Sequence, residues 1–301
     1  MRAVLIGEAM LELSQDSSGW RLGYGGDTLN TAIHLARAGV DTAYLTALGS
    51  DPFSDDMKRQ WTAEGLDTTL VLTDSARNPG LYAITNDEAG ERSFTYWRGE
   101  SAARGLFACA GIEEALDKAT QADLLGFSLI TLAILPDDAR EQLFALAAKV
   151  LANGGKVAFD GNYRPRLWER AADACAARDA AIACADIGLP TLEDEAMLSG
   201  VSDADAVAAH WASLGCAETI VKLGAAGCRL PDGIILPPPE VLPPVDTSGA
   251  GDAFNGGYLA ARLRGASTTE AALEGHKLAG WCVMQRGAIP APPEIAAARR
   301  S

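Results

Sequence analysis

Short apolar runs of strand character alternate with helical runs along most of this chain, an alternation that restricts it to a mostly parallel sheet covered by helices. Ala3–Gly7, Ala43–Leu48, Leu124–Ser128, Lys156–Asp160, Ile187–Leu189 and Thr219–Leu223 read as strands. Leu29–Ala38, Phe53–Glu64, Asp137–Asn153, Ala172–Ala185 and Ala204–Leu214 show helical periodicity. Gly39 and Gly65 stand where the first two helices should stop. The 301 residues suffice for one large α/β domain or two small ones, and 48% hydrophobic content supplies an ordinary core.

The alternation fails from about Thr69 to Arg98. There Leu81–Thr85 and Ser93–Trp97 read as two strands joined by the polar turn Asn86-Asp87-Glu88-Ala89-Gly90. Such an antiparallel insert is either a peripheral hairpin or a lid. Tyr82, Tyr96 and Trp97 favour a lid, because large aromatics are costly to leave in water. Pro237–Pro244 is too short for a domain linker and reads as a rigid connection into the segment that follows.

That segment, Asp246-Thr247-Ser248-Gly249-Ala250-Gly251-Asp252-Ala253-Phe254, sets turn formers and a carboxylate at a helix start. Ala253, Phe254, Gly257, Tyr258 and Ala261 continue it at helical spacing. Such a start binds anions, since its first N–H groups lack partners and the macrodipole adds about half a positive charge. Asp252 has two readings. It is an acidic residue favoured by the dipole, or it is a base that takes a proton from an attacking hydroxyl. The second reading, with an anion hole beside it, points to phosphoryl transfer to an alcohol. Gly256 and Gly257 each cost roughly 0.5–1 kcal/mol in a helix relative to Ala, which implies close packing against a backbone or a ligand.

Composition and missing motifs narrow the classes further. The net charge is −15, which argues against nucleic acid and anionic membrane as partners and requires local cations at any anion site. Arg98, Arg164, Arg166 and Lys222 are the candidates. No run approaches 18 apolar residues, and the apolar start up to Glu8 is too short for a signal peptide. None of the six cysteines forms a Cys-x-x-Cys pair, so they read as buried thiols in a reducing cytoplasm. There is no P-loop string, no His-Glu-x-x-His, no Gly-x-Ser-x-Gly, and no Gly-x-Gly-x-x-Gly after the first strand. That removes the usual support for P-loop enzymes, zinc proteases, α/β-hydrolases and nicotinamide dehydrogenases. His34 and His210 read as ordinary helix residues.

Asp246–Phe254 resembles the C-terminal signature of the ribokinase-like (PfkB) sugar kinases, and Gly25-Gly26-Asp27-Thr28-Leu29-Asn30-Thr31-Ala32 resembles their N-terminal one. The likeness runs from Ile6-Gly7-Glu8 to Arg286-Gly287-Ala288. Pro79-Gly80-Leu81-Tyr82, Tyr96-Trp97-Arg98 and Asp160-Gly161-Asn162-Tyr163-Arg164-Pro165-Arg166-Leu167-Trp168 bring it nearest to the branch acting on 2-keto-3-deoxy sugar acids. The resemblance implies an α/β ribokinase-like three-layer sandwich, with a mostly parallel central sheet flanked by helices and a small antiparallel β lid. One kinase domain would span residues 1–301, its lid built from about 12–25 and 69–98. The lid would cover the sugar and join subunits into a homodimer or larger homo-oligomer. The implied reaction is ATP-dependent phosphorylation of 2-keto-3-deoxygluconate at its C6 hydroxyl, with Mg2+ bridging the phosphates. A fructokinase or another ribokinase-like sugar kinase is the rival within the class, and a catalytically silent sugar-sensing module the rival outside it.

The same resemblance distributes roles. Asp252 would be the base, and the N–H groups of Gly249, Ala250 and Gly251 would stabilise charge on the moving phosphoryl group. Gly26, Asp27 and Asn30 would face sugar hydroxyls, with Tyr82 and Tyr96 also at the substrate; by itself, this loop reads as a turn capped by Asp27 or Thr28. Arg98 is either an exposed strand-end arginine or a fork for the substrate carboxylate, which a fructose or ribose kinase would not need. Arg164 would meet the keto acid or the transferred phosphate. Asp160 ends a parallel strand where such folds place ligands, and Asn162 lies just beyond it. Asn162, Arg164, Thr191, Lys222, Gly224, Gly227, Gly249 and Gly251 would border ATP, although Lys222–Gly227 also reads as a plain β-turn. His276 stands where relatives place an Asn near the nucleotide. Arg166 and Trp168 read as loop packing. Thr191-Leu192-Glu193-Asp194-Glu195 lacks the Asn-x-x-Glu that many relatives tie to magnesium and phosphate. The magnesium ligands are therefore unassigned, with Glu195 able to substitute if the register shifts by one.

Overall fold

Arg2–Ile6 (β1) is buried along both faces, and the helices that bury it define the architecture. Val4 and Ile6 enter one apolar cluster while Ala3 and Leu5 enter the other, as the two-residue period of a strand requires. Strands buried on both sides read as continuous apolar runs, which is why they were visible in the sequence. The computed structural model describes residues 1–16, 19–86 and 92–291. After β1 come Met10–Asp16 (β2), Gly19–Gly25 (β3), Asp41–Leu48 (β4), Val71–Thr73 (β5), Gly80–Asn86 (β6) and Arg92–Trp97 (β7). Leu124–Ser128 (β8), Lys156–Asp160 (β9), Ile187–Gly188 (β10), Glu218–Thr219 (β11), Val221–Lys222 (β12), Cys228–Arg229 (β13) and Ile235–Leu236 (β14) follow.

Seven strands form a parallel sheet in the order β11-β10-β9-β8-β1-β4-β5. The order reverses beside β1, where the chain crosses back from β5 to β8, so the carboxyl ends of β1, β8 and β9 open onto the crevice where α/β sheets take ligands. Asp27–Arg37 (α1), Pro52–Ala63 (α2), Ile112–Ala119 (α3), Leu129–Ile134 (α4), Asp137–Ala152 (α5), Ala171–Ile182 (α6), Leu192–Ser199 (α7), Ala204–Ser213 (α8), Ala250–Leu263 (α9) and Thr268–Val283 (α10) complete the layers. Helices α3 to α8 supply one apolar cluster, and α1, α2, α9 and α10 the other.

The insert is a second sheet in the order β3-β2-β6-β7. It consists of two antiparallel hairpins joined along a parallel seam between β2 and β6. Register places Glu12, Tyr82 and Tyr96 side by side on one face. Trp20, Leu22 and Trp97 project from the other face and are exposed.

The structure corrects several expectations. Val71–Thr73, inside the segment 69–98 expected to form the lid, pairs with β4 and extends the large sheet. Most of the polar turn Asn86–Gly90, from Asp87 on, lies outside the described residues. Thr219–Leu223 is not one strand: Glu218–Thr219 closes the large sheet, while Val221–Lys222 starts a separate antiparallel sheet with β13 and β14. Neither Asp27 nor Thr28 caps α1. Gly26 is its N-cap without a side-chain hydrogen bond, and the Thr28 hydroxyl lies 3.0 Å from that of Tyr44 instead.

The two helical glycines answer to neighbouring helices, not to a ligand. A Cβ on Gly256 would collide with the Cβ of His34 on α1, and one on Gly257 would lie 2.7 Å from the Glu274 carbonyl oxygen on α10. Gly257→Ala should therefore lower stability by about 1–3 kcal/mol through overpacking, although Ala is the better helix former. Urea denaturation checks this. An unchanged or higher midpoint would mean that α9 and α10 do not pack this closely.

Candidate active site

Three ends of secondary structure converge on the crevice: the turn into α9, the start of α1, and the segment after β9. Gly249 caps α9 with φ 70°, and a Cβ there would lie 2.7 Å from the backbone of Ala288. No other residue type fits both demands easily. Asp246 fixes the turn by accepting from the backbone N–H of Ser248 at 2.9 Å and of Gly287 at 2.7 Å. The Ala250 N–H turns back to the Thr247 carbonyl at a long 3.3 Å. The N–H groups of Gly249 and Gly251 have no backbone partner among the described residues.

Asp252 sits half-buried in the first turn of α9, and its Oδ2 accepts from Asn30 Nδ2 on α1 at 2.7 Å. The Thr31 hydroxyl donates to the Asp252 carbonyl at 3.3 Å. Burial pushes the Asp252 carboxyl up to about 8, Asp27 and Asp160 add to the rise, and Asn30 and Lys222 oppose it. A carboxylate with so high a pKa is poised to exchange a proton near neutral pH, unlike an ordinary capping aspartate.

Behind it lies a closed triangle. Lys222 Nζ reaches Asp160 Oδ1 and Asn255 Oδ1, each at 3.1 Å, and Asn255 Nδ2 donates to Asp160 Oδ2 at 2.8 Å. A Cβ on Gly251 would stand 3.7 Å from Lys222 Nζ, so the ammonium lies against the start of α9. Asn255 was not singled out in the sequence. Its place one helical turn after Asp252 was the available signal.

On the flank toward α1, Asn162 donates to Asp27 Oδ2 at 3.0 Å, tying the segment after β9 to the glycine loop rather than standing free. Gly26 allows the loop to lie on β1's exit, since a Cβ there would collide with the Glu8 carbonyl oxygen. Arg164 is half-exposed, with Nη1 on the Tyr163 carbonyl at 2.6 Å and on Asp194 Oδ1 at 3.3 Å. Burial raises Asp194 to about 6, with Arg164 pulling against it. Thr191 is the N-cap of α7 and bridges to Lys222. Glu195 cannot substitute as a metal ligand. It is buried, taken by Arg178 Nη1 at 2.6 Å and Trp211 Nε1 at 3.0 Å. Trp168 packs as expected, beneath the Arg140 guanidinium at 5.1 Å.

The glycine turn Gly224–Ala226, closed by Leu223 N–H on the Gly227 carbonyl at 2.8 Å, joins β12 to β13. His276 is buried beside it. Its Nε2 lies 3.1 Å from the Leu236 carbonyl and 3.4 Å from Cys228 Sγ, and its ring meets Phe254 edge-on. It therefore backs this turn with its Nε2 already occupied.

On the small sheet, the Tyr82 hydroxyl donates to Glu12, and burial lifts its pKa well above the usual tyrosine value, so it stays protonated. The Tyr82 and Tyr96 rings lie 5.9 Å apart. Arg98 is not an exposed strand-end arginine. It is nearly buried, with Nη2 on the Glu8 carboxylate and its guanidinium carbon 5.9 Å from the Tyr96 ring centroid.

A polarised helix start, a carboxylate of raised pKa in its first turn and an ammonium against its backbone can together hold an anion and deprotonate a hydroxyl beside it. Comparisons with known proteins match the chain over nearly its whole length. The family model described as pfkB family carbohydrate kinase matches residues 2–295. A 2-dehydro-3-deoxygluconokinase of Dickeya dadantii is 41% identical over 295 residues, covering 95% of each chain. A fructokinase of Klebsiella pneumoniae is 30% identical over 260 residues, covering 85% of this chain and 82% of its own. The crystal structure of an aminoimidazole riboside kinase from Salmonella enterica, complexed with aminoimidazole riboside and an ATP analog, superposes with a TM-score of 0.82 at 25% identity, covering 99% of both chains.

With Asp252 at about 8, kcat/KM should fall as pH drops below that value, because only the ionised carboxylate accepts a proton. Asp27 raises this pKa, so Asp27→Asn should move the acid limb to lower pH whatever it does to the plateau. A limb that stays in place, measured from pH 5.5 to 9.5 at subsaturating substrate, would contradict the assignment.

Proposed function

The chain belongs to the pfkB family of carbohydrate kinases, and from that premise we propose that it transfers the γ-phosphoryl group of ATP to the C6 hydroxyl of 2-keto-3-deoxygluconate. The observation that supports the reaction is the position of Asp252. It lies in the first turn of α9, hydrogen-bonded to Asn30 and backed by Lys222. Asp252 takes the hydroxyl proton, and the N–H groups of Gly249, Ala250 and Gly251 face the charge that spreads over the phosphoryl oxygens. Gly26, Asp27 and Asn30 bind sugar hydroxyls. Asn162, Arg164, Thr191, Lys222, Gly224 and Gly227 border the nucleotide, with His276 behind their turn.

Magnesium enters this reading with the nucleotide. Among the described residues no group of three or more His, Cys, Asp or Glu could hold a metal ion, and Mg2+ is commonly bound through phosphates and water. The small sheet is read as a lid over the sugar, within one kinase domain. Exposed Trp20, Leu22 and Trp97 on its outer face support pairing with a second copy. Among the described residues no helix is long and apolar enough to cross a membrane, and all six cysteines are free. We read the compartment as a reducing cytoplasm.

The sugar-acid substrate is favoured over fructose by Arg98, whose guanidinium lies over the Tyr96 ring of the small sheet, and by the greater identity to the 2-dehydro-3-deoxygluconokinase. A site built to pair a carboxylate rejects an analogue lacking it by roughly 10⁴-fold. An ATP-consumption assay at saturating MgATP should show a preference of that order for 2-keto-3-deoxygluconate over fructose. Comparable kcat/KM for the two would sink the sugar-acid reading and leave a broader sugar kinase. Asp252→Asn should keep binding of both substrates and lose about 10²–10⁴-fold in kcat. A variant with near-wild-type kcat would remove Asp252 as the base.

A further inference from the structure

Glu8 lies two residues past the end of β1 and is 1% exposed. A carboxylate there is costly unless paired, and the transfer chemistry above makes no use of it. Its Oε2 accepts from Arg98 Nη2. Burial raises its pKa, with Arg98 the strongest opposing charge. Arg98 is thus held on two sides, by this carboxylate and by the Tyr96 ring. Its Nε is buried and has no acceptor among the described residues, an unmet donor that a bound anion would satisfy. Gly80 leaves the room for the pair: a Cβ there would lie 3.0 Å from Glu8 Oε1 and 3.2 Å from Arg98 Cβ.

We propose that Glu8 is a positioning residue for the substrate carboxylate, fixing the Arg98 guanidinium so that its remaining donors meet that carboxylate in one orientation. The inference rests on the sugar-acid reading. An arginine has many rotamers, and one already fixed loses less freedom when its ligand arrives. The paired acid also offsets part of the attraction that a bare guanidinium would exert on any anion. The device therefore favours selectivity over raw affinity.

The test compares wild type, Glu8→Gln, Arg98→Ala and the double variant, with KM for 2-keto-3-deoxygluconate, KM for ATP and Tm measured on each. Glu8→Gln should raise KM for the keto acid on the order of tenfold, the loss expected of one charged hydrogen bond, and leave KM for ATP at the wild-type value. In the Arg98→Ala background the same change should leave KM for the keto acid where it is and raise Tm, because it removes a buried charge that has lost its partner. Gly80→Ala crowds the same pair without changing charge and should raise KM for the keto acid alone. It serves if Glu8→Gln does not fold. Wild-type KM in Glu8→Gln, equal shifts for both substrates, or additive effects in the double variant would overturn the proposal and leave the sugar-acid reading standing. A wild-type enzyme without preference for the keto acid would overturn both.

Discussion

The hydrogen bond from Asn30 to Asp252, 2.7 Å long and spanning 222 residues of sequence, is the interaction on which the site depends. It joins the first turn of α1 to the first turn of α9 and so brings both glycine-rich segments to one point. Gly256 permits this, since any side chain there would meet His34 on α1. Gly249 and Asp246 then set the turn that aims the start of α9 into the crevice. The bond also acts on the chemistry. It stabilises the ionised carboxylate and so limits a pKa that burial, Asp27 and Asp160 drive upward. Loss of Asn30 would raise that pKa as well as free the helix.

A chain with net charge −15 that is proposed to take two anions must solve an electrostatic problem locally. Here three of the four candidate cations are already paired: Lys222 with Asp160, Arg164 with Asp194, Arg98 with Glu8. These pairs bring near neutrality rather than a strongly positive pocket. Binding then relies on fixed donors, namely backbone N–H groups at a helix start and guanidinium faces held in place, which cost little reorganisation when charge moves. The same economy places Asn255 between Asp160 and Lys222, where it holds both without adding charge.

How much was legible follows from which forces are local. Leu124–Ser128 and Lys156–Asp160 match their predicted bounds because strands buried on both faces are continuous apolar runs. The sheet edge was misread at Thr219–Leu223, because two-residue strands in different sheets sit one residue apart and no periodicity marks the break. Helix α10 is rich in Ala and Gly with no clear apolar stripe, although its Ser267–Glu270 capping box was a sign of its start. At the site, Asp252 and Asn30 were readable from motifs. The burial of Glu195 against Arg178 and Trp211, and the pairing of Arg98 with Glu8 across 90 residues, depend on tertiary contacts that local sequence does not encode.

Helix α9 opens on an anion hole whose own aspartate is held at a raised pKa and can act as a base. Carbon-13 NMR of protein labelled at the aspartate carboxyls, with Asp252→Asn identifying the resonance, measures this without turnover. The Asp252 signal should titrate near pH 8 in the free protein. Titration near the ordinary aspartate value of roughly 4 would contradict it, leaving Asp252 a capping acid like any other.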